Sequence, residues 1–455
     1  MTIETKANVL DGSALGITQT IVSDKLTQLF ERRYQRVQRG TTSSKWLIAN
    51  AREKANLDIQ PNYKITSKDA TWVKPPRPAN CGAPIGNLVD VHLAQNAGSG
   101  HTAYFKGVQR CGSVWACPRC SAAKRSKYAI ELDAAYNAIM ESDDLNPGVF
   151  LTLTLRHTKK VPLLTSLSTL HGAFAKMRVQ QGWRRLMDQL GKEALVRSTE
   201  ITYSENNGWH PHLHIWLITN KPVDKTARAK AESEISSWWQ TAVANYSGGA
   251  DLVPDDYWGC DLRLVNSRGI AAYIHKIQDD KEPGNNLRLS SELVRADLKT
   301  ARANSIVPFE LLDRPDGKKL WLEYVETTKG RRVLDWTKGF KKRLGITKPK
   351  TKPQDLADNC QSQQSTKVFT IDGANYSQNR TNPDWIANVL TQTELNPIDA
   401  ANQYGISPTV PLKSPPGESD GGKALKADSG QPARFNDLLR FWRLRLLTNK
   451  LPQLR

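Results

Sequence analysis

The segment that most restricts the fold begins at Gly208 and reads Gly-Trp-His-Pro-His-Leu-His-Ile-Trp-Leu. Three of the chain's eight histidines occupy every second position of this segment: His210, His212 and His214. Because successive side chains of a β-strand point to opposite faces, the three imidazoles share one face. Apolar residues, the first of them Leu213, take the other face. The segment therefore predicts a strand that buries one face in a core and carries histidines on the other.

A row of histidines on one strand face is a candidate metal site. Neutral imidazoles at this separation can hold one divalent cation, whereas a lone histidine would be an ordinary half-exposed residue. A cation on His212 and His214 needs at least one more ligand. His210 lies on the same face, and Glu200 comes from the preceding strand, with a carboxylate that suits Mg²⁺ or Mn²⁺ better than a third imidazole does. Such a site with open positions can polarise a phosphoryl oxygen.

The region around this strand, from 148 to 280, predicts one α+β unit. Residues that alternate in polarity indicate four strands, at Val149–Leu155, Leu195–Tyr203, Gly208–Leu217 and Cys260–Val265. Helical periodicity indicates three helices, at Leu163–Leu190, Lys225–Ala244 and Arg268–Gln278. A short polar turn joins the second and third strands, so these two form a hairpin. The order predicts a mainly antiparallel sheet with helices packed against it.

A second motif is a group of cysteines ahead of this unit. Cys117 and Cys120 have the Cys-x-x-Cys spacing that lets two thiolates reach one tetrahedral zinc ion. Cys111 supplies a third ligand, and either Cys81 or His101 a fourth. A redox motif is the alternative, but the strand–helix context that it needs is missing here. Three cysteines within ten residues favour structural zinc over unpaired thiols.

The charge of the chain points to a polyanionic partner. The 455 residues carry a formal net charge of +19, and the sequence pI is about 9.6. Nucleic acid is the first candidate for a protein this basic, and a solvated basic surface is the alternative. We expect phosphate contacts from Lys124 and Arg125, which follow the cysteines, and from Arg331 and Arg332 in a tryptophan-containing stretch.

The sequence predicts a cytoplasmic protein. The N-terminal residues lack the cationic and apolar regions of a secretory signal. No apolar stretch approaches the length that a membrane-spanning helix needs. In that compartment the six cysteines indicate metal ligands or free thiols before disulfides.

A candidate nucleophile follows the predicted sheet. Tyr273 and Lys276 are three residues apart on the predicted last helix and therefore share a face. The lysine charge favours the tyrosinate form, and a tyrosinate can attack a phosphodiester to give a covalent phosphotyrosine. The alternative is that Tyr273 is an ordinary half-buried helix residue. Its position after the histidine strand favours the role of nucleophile.

Together these motifs resemble a known family. The His212-Leu213-His214 centre and the later Tyr-x-x-Lys are similar to the metal and nucleophile motifs of the HUH endonucleases. The cysteines ahead of Phe150-Leu-Thr-Leu-Thr, the histidine strand and Trp321-Leu-Glu-Tyr resemble rolling-circle plasmid replication initiators of the Rep_1 type. The resemblance covers residues 81 to 345.

The resemblance implies an HUH endonuclease core in which His212 and His214 hold Mg²⁺ or Mn²⁺. Tyr273 would attack a nick site in plasmid origin DNA, exposed as single strand, and stay on the 5′ phosphate. The free 3′ hydroxyl would prime synthesis by a host polymerase while a host helicase unwinds the duplex. Some members place a glutamate four residues before the tyrosine for the terminating cleavage. Gly269 stands at that position here, so the residue for that step is unassigned.

With this resemblance we expect five segments. They are a basic N-terminal arm (1–78), a cysteine zinc- and DNA-binding segment (79–145), the HUH nuclease core (146–282), a basic tryptophan-containing extension (283–350) and a largely disordered tail with a terminal helix (351–455).

Three other functions compete with a replication initiator. A relaxase or single-tyrosine transposase of the same superfamily is the nearest, although the length and the cysteines are unlike the small transposases. A non-catalytic DNA-binding regulator would hold zinc in both clusters. An amidohydrolase could use His-x-His for zinc, but its barrel needs about eight strand–helix repeats, which the sequence does not show.

Overall fold

The computed structural model describes residues 13–57, 75–95, 101–248, 250–255, 258–265, 305–346 and 365–406. All of them lie in one compact unit, Met1–Val410. The strands in chain order are β1 (Leu88–Gln95), β2 (His101–Lys106), β3 (Asn146–Thr154), β4 (Lys192–Ser204), β5 (Gly208–Thr219), β6 (Cys260–Leu264), β7 (Ser305–Ile306), β8 (Leu334–Trp336) and β9 (Ser365–Asp372).

The α-helices are α1 (Ser13–Leu57), α2 (Pro118–Met140), α3 (Leu163–Val179), α4 (Gln181–Gln189), α5 (Lys225–Ser247), α6 (Lys318–Thr328), α7 (Phe340–Arg343), α8 (Gly373–Asn379), α9 (Pro383–Leu395) and α10 (Pro397–Tyr404). Short 3₁₀ turns lie at Arg77–Asn80, Ala250–Leu252 and Pro308–Asp313.

The larger sheet has the strand order β6-β3-β5-β4-β7, and β8 pairs with β4 beside it. Every pairing in it is antiparallel. Strands β4 and β5 form the predicted hairpin, in a register that sets Glu200 opposite His212. On its other side β5 pairs with β3, so Thr154 also lies opposite His212. The predicted α+β architecture with a central antiparallel sheet is confirmed.

The two faces of this sheet differ, as the alternation of its strands requires. One face carries Leu151, Leu213 and Ile215 into the main core, which α3, α4 and α5 cover. The opposite face packs against α2 through Phe150 and Trp216 at one end of the strands. Towards the other end the same face carries polar side chains, and there the candidate site lies.

The long helix predicted over 163–190 is two helices. Gln180 takes an extended conformation, with ψ of 147°, and ends α3 while it precedes α4. The break turns the chain, so that Phe174 of the first helix and Trp183 of the second meet edge to face in the core. The helical periodicity of the sequence continues through Gln180 and therefore did not indicate that the chain changes direction there.

A second, three-stranded sheet includes part of the segment that we expected to be a largely disordered tail. Strand β9 pairs with β1, which pairs with β2, and Val91 lies opposite both Phe105 and Phe369. Helices α8, α9 and α10 follow β9, so residues 365–406 are folded. The sequence hid this because the apolar partners of β9 lie far earlier in the chain. The predicted helix near the C-terminus lies outside the described residues.

Helix α1 lies within the segment expected as a basic N-terminal arm. It buries Val37 and Leu47 against the rest of the unit. Arg33 forms a buried ion pair with Glu394 of α9 and donates a hydrogen bond to Thr391 at 2.9 Å. The basic helix α1 is thus anchored to the rest of the unit by a few specific contacts.

Among the described helices, none combines the length and the apolarity that crossing a membrane would need.

Candidate metal centres and DNA-binding surface

Three predicted ligands converge on the polar face of the larger sheet. The Oε2 atom of Glu200 lies 2.7 Å from Nε2 of His212 and 2.9 Å from Nε2 of His214. One ligand atom from each residue lies within 4.8 Å of the others. Only 7% of Glu200 is exposed. The pairing of β4 with β5 produces this convergence, because it places Glu200 directly opposite His212 and diagonal to His214, which lies opposite Ser198.

The hydrogen bonding around His214 suits metal ligation. Its Nδ1 lies 3.2 Å from Oγ1 of Thr152 on the neighbouring strand. A threonine hydroxyl can accept a hydrogen bond from Nδ1–H, which leaves the Nε2 lone pair for a cation, or donate one to Nδ1 when Nε2 is protonated. His212 differs, since its buried Nδ1 has no hydrogen-bond partner among the described residues.

The donor set fits a divalent cation. A nearly buried carboxylate beside two imidazoles is costly unless a proton or a cation satisfies it. One oxygen and two nitrogen donors on one side leave other positions for water or substrate, as Mg²⁺ or Mn²⁺ sites in proteins do.

His210, the other predicted third ligand, stands outside this cluster. Its ring stacks on His157, with 4.0 Å between centroids and 10° between planes. Burial, and then the neighbouring His212, lowers the pKa of His210 to about 3. Burial also lowers the pKa of His157. The pair is therefore a neutral aromatic stack beside the metal ligands at neutral pH.

The four predicted cysteines form the second cluster. The Sγ atoms of Cys81 and Cys111 lie 3.5 Å and 3.6 Å from Sγ of Cys120, and all four sulfurs lie within 4.8 Å of one another. Thiolates 2.3 Å from a tetrahedral zinc ion are about 3.8 Å apart. Of the two alternatives for the fourth position, Cys81 therefore completes the cluster.

The cysteine cluster lies where several elements meet. Cys117 directly precedes α2, whose first residue is Pro118. Ser43 of α1 donates a hydrogen bond to the carbonyl of Ala116 at 3.1 Å. Arg119 donates to the carbonyls of Cys81 and Arg380, at 3.2 Å and 3.1 Å. These bonds connect the cluster to α1 and to the region of the three-stranded sheet.

The four basic residues predicted to contact phosphates differ in how far they are exposed. Arg125 is only 4% exposed, lies over the ring of Trp115 at 5.8 Å and donates to Ser121 at 3.1 Å. Its burial contradicts a direct contact with DNA, because the guanidinium is used inside the fold. Lys124 and Arg331 are half-buried, whereas Arg332 is exposed.

Trp321 is fully buried, so it cannot stack on a base. It packs in the main core with Phe309 and Tyr324. The interleaving of basic and aromatic residues around it reflects the packing of α6.

Sequence reasoning missed an exposed tryptophan near the candidate site. Trp258 is 78% exposed, and its carbonyl accepts a hydrogen bond from Thr154, the residue opposite His212. The loop after β3 lies at the same end of the sheet and carries exposed basic residues: Arg156, Lys159 and Lys160. A tryptophan in a turn before a strand gave no signal of its exposure.

The proposed nucleophile, Tyr273, lies outside the described residues, as do Lys276 and Gly269. Their roles stay predictions.

Comparisons with known proteins give the class to which this fold and these clusters correspond. The model of the replication protein family, Rep_1, matches residues 105–246. That range contains Glu200, His212 and His214 together with three of the four clustered cysteines. The resemblance to Rep_1-type replication proteins is confirmed, and the matches support a plasmid replication initiator.

Similar proteins occur in bacteria. A protein named "Protein rep" from Streptomyces lividans is 28% identical over 335 residues, which cover 58% of this chain and 70% of the relative. Another of that name, from Streptococcus pneumoniae serotype 2, is 22% identical over 34% of this chain and 44% of its own length. A "Neomycin resistance protein" from Streptomyces cyanogenus is 26% identical over 25% of this chain and 31% of its own length. No solved structure matches the chain.

Proposed function

We propose that this protein starts rolling-circle replication of a plasmid by nicking and rejoining one strand of origin DNA through a 5′-phosphotyrosyl intermediate. The observation that carries the proposal is the convergence of Glu200, His212 and His214 on one point of an antiparallel sheet. The family match supports it, because the matched range includes all three residues.

Glu200, His212 and His214 would hold Mg²⁺ or Mn²⁺. When bound, the cation supplies Lewis-acid polarisation of a phosphoryl oxygen at the scissile phosphate. Thr152 keeps His214 in the ring orientation that points Nε2 at Glu200. The stacked pair of His157 and His210 lies beside the ligands, with 5.2 Å between the ring centroids of His210 and His212.

Tyr273 would be the nucleophile, with Lys276 favouring its tyrosinate form. The amide of Val265 donates to Gly148 at 3.0 Å, so the chain leaves β6 near the start of β3. Thr154 lies five positions along β3 from Val149, a rise of about 17 Å. With the helix predicted over Arg268–Gln278, the span from Val265 to Tyr273 reaches at most about 18 Å, from three extended steps and five helical steps. Chain length is therefore compatible with a tyrosine at the metal ligands.

Exposed residues near the metal ligands suit single-stranded DNA. Trp258 offers a face on which a base can stack, and base–aromatic stacking does not require a particular sequence. The basic residues of the loop after β3 offer cations for phosphates. The net charge of +19 supports a polyanionic partner.

The four cysteines would hold a structural zinc ion, since a cytosolic all-thiolate cluster with these separations suits zinc. Plasmid origin DNA would be the substrate. A host helicase and a host polymerase would act on the nicked product, which presents a free 3′ hydroxyl. We place this activity in the cytoplasm.

Covalent capture tests the proposal. The full chain is incubated with Mn²⁺ and single-stranded DNA of the parent replicon's origin, and the products are separated under denaturing conditions. We expect a protein–DNA adduct that disappears in Tyr273→Phe and in His212→Ala, while Tyr104→Phe, on the three-stranded sheet, keeps it. Binding without any adduct would contradict the nuclease and favour a non-catalytic regulator.

A further inference from the structure

A polar cavity lies beside the metal ligands and has no part in holding the cation. It has a volume of 310 Å³, and all seven of its lining residues are polar. His210 lines it, and the His210 ring centroid is 5.2 Å from that of His212. The cavity is therefore the immediate neighbour of the position at which a scissile phosphate would lie.

The walls of the cavity come from three segments. They are the β4–β5 hairpin, the loop after β3, which contributes His157, and β7, which contributes Ser305. The hairpin and the loop after β3 approach each other closely. Gly208 permits the approach, because a Cβ atom there would lie 2.9 Å from Cα of Lys159 and 3.0 Å from the carbonyl oxygen of Thr158. Its φ of +76° also favours glycine. Glycine at this position therefore keeps the cavity walls in place, although glycine loses more conformational entropy on folding than other residues do.

The chemistry of the lining selects a neutral, hydrogen-bonding ligand. Asn206 and Asn207 bring side-chain amides, each with donors and an acceptor, and Thr202, Ser204 and Ser305 bring hydroxyls. Within the described ranges, no lysine, arginine or carboxylate lines the cavity. A phosphate would therefore find no cation there, whereas the edge of a nucleobase would find amide partners of the kind that read bases in DNA.

The size of the cavity agrees with this. Sites for small organic ligands have volumes of about 300–1,000 Å³, so 310 Å³ is enough for one base and part of its sugar. The stacked imidazoles of His157 and His210 add an aromatic surface at the wall. Bases of single-stranded nucleic acid commonly rest on such surfaces while their edges form hydrogen bonds.

We propose that this cavity receives the nucleobase next to the scissile phosphate, and that Asn206 and Asn207 read that base and so set one position of the nick sequence. The inference rests on the proposed function for its setting, since it assigns sequence recognition to that same site. It assigns recognition to the β4–β5 turn and leaves the chemistry to the metal ligands and the tyrosine.

Binding selection tests the inference separately from cleavage. The full chain in Ca²⁺-free buffer with EDTA is incubated with single-stranded oligonucleotides that carry a randomised twelve-nucleotide window, and the bound fraction is sequenced. We expect the wild type to enrich a motif. In Asn206→Ala and Asn207→Ala, one position of that motif should lose preference by about fivefold or more, while the other positions stay.

Asn220→Ala is the matched control, since Asn220 is an exposed asparagine just beyond the opposite end of β5. It should keep the full motif. The inference is overturned if the wild type enriches no motif, if both cavity variants keep every position, or if they weaken all positions equally. Since no step needs nicking, a failed adduct assay with an intact motif would contradict the proposed function alone.

Discussion

Replacing Glu200 with glutamine should remove the response of the protein to divalent cations while leaving it folded. The carboxylate is the only charged donor in the cluster with His212 and His214, and Oε2 lies within 3 Å of both Nε2 atoms. The amide of glutamine has nearly the same shape, so packing is kept. Its neutral oxygen is a far weaker ligand for Mg²⁺ or Mn²⁺.

The magnitude follows from ligand linkage. At a free Mn²⁺ concentration about 100 times the Kd, binding stabilises the native state by about 2.7 kcal/mol. For a compact unit as large as Met1–Val410, with an entropy of unfolding of about 2.1 cal/mol/K per residue, that corresponds to a rise in Tm of about 3 °C. If Glu200→Gln lowers affinity about 100-fold, the same concentration contributes about 0.4 kcal/mol, and the rise in Tm falls to about 0.5 °C.

Differential scanning calorimetry with and without Mn²⁺ measures both shifts. In EDTA we expect Glu200→Gln to unfold at or above the wild-type temperature, because a buried charge without its cation is unfavourable. Glu193→Gln is the matched control, on the same strand but at the far end, where its partner is Arg343. An undiminished Mn²⁺ shift in Glu200→Gln would refute the assignment of the metal ligands.

Three further predictions concern other parts of the molecule. Trp258→Ala should weaken binding of single-stranded DNA about fivefold to 100-fold in a fluorescence anisotropy titration, since stacking contributes about 1–3 kcal/mol per base; an unchanged Kd would show that this exposed ring does not contact DNA. Cys117→Ser should release zinc, which metal analysis detects, and should lower Tm by several degrees. A metal content equal to that of the wild type would contradict the assignment of the four cysteines as zinc ligands. The control is Cys260→Ser, which changes a buried cysteine outside the cluster. Burial, and then Arg197, lowers the pKa of His171 to about 4. Below pH 6.5 the unfolded state therefore binds a proton that the native state does not, so stability falls as pH drops towards 4, by roughly 1–2 kcal/mol after allowing for solvent screening. Urea unfolding should show that the free energy of unfolding falls less between pH 7 and pH 4.5 in His171→Gln than in the wild type. An equal fall would refute the lowered pKa of His171 as the cause.

Local patterns predicted most of the larger sheet and both clusters. The spacing of His212 and His214 fixed a strand and one of its faces, and the hairpin then brought Glu200 across from them. Choosing between Glu200 and His210 needed the register, because both lay within reach of the same two imidazoles. The spacing likewise offered both Cys81 and His101 as the fourth ligand, and only the fold brings Cys81 to the other three cysteines.

What the sequence could not give depends on contacts between distant residues. Arg125 looked like a phosphate contact, yet it is turned inward over Trp115. Phe369 and Ile371 looked like isolated apolar residues in a polar tail until β1 supplied their partners. Composition describes a segment, whereas burial depends on what the rest of the chain brings to it.

The pairing of β1 with β9 also governs when this protein can finish folding on the ribosome. Thr370 and Asp90, joined by a 2.7 Å hydrogen bond, are 280 residues apart in the chain. At about 5–20 residues per second, synthesis of that interval takes roughly 14–56 s. Throughout this time the edge of β1 that β9 will pair with has no partner strand, and the strands of the larger sheet are themselves synthesised during the same interval. Nascent chains of this protein should therefore engage chaperones through their early strands.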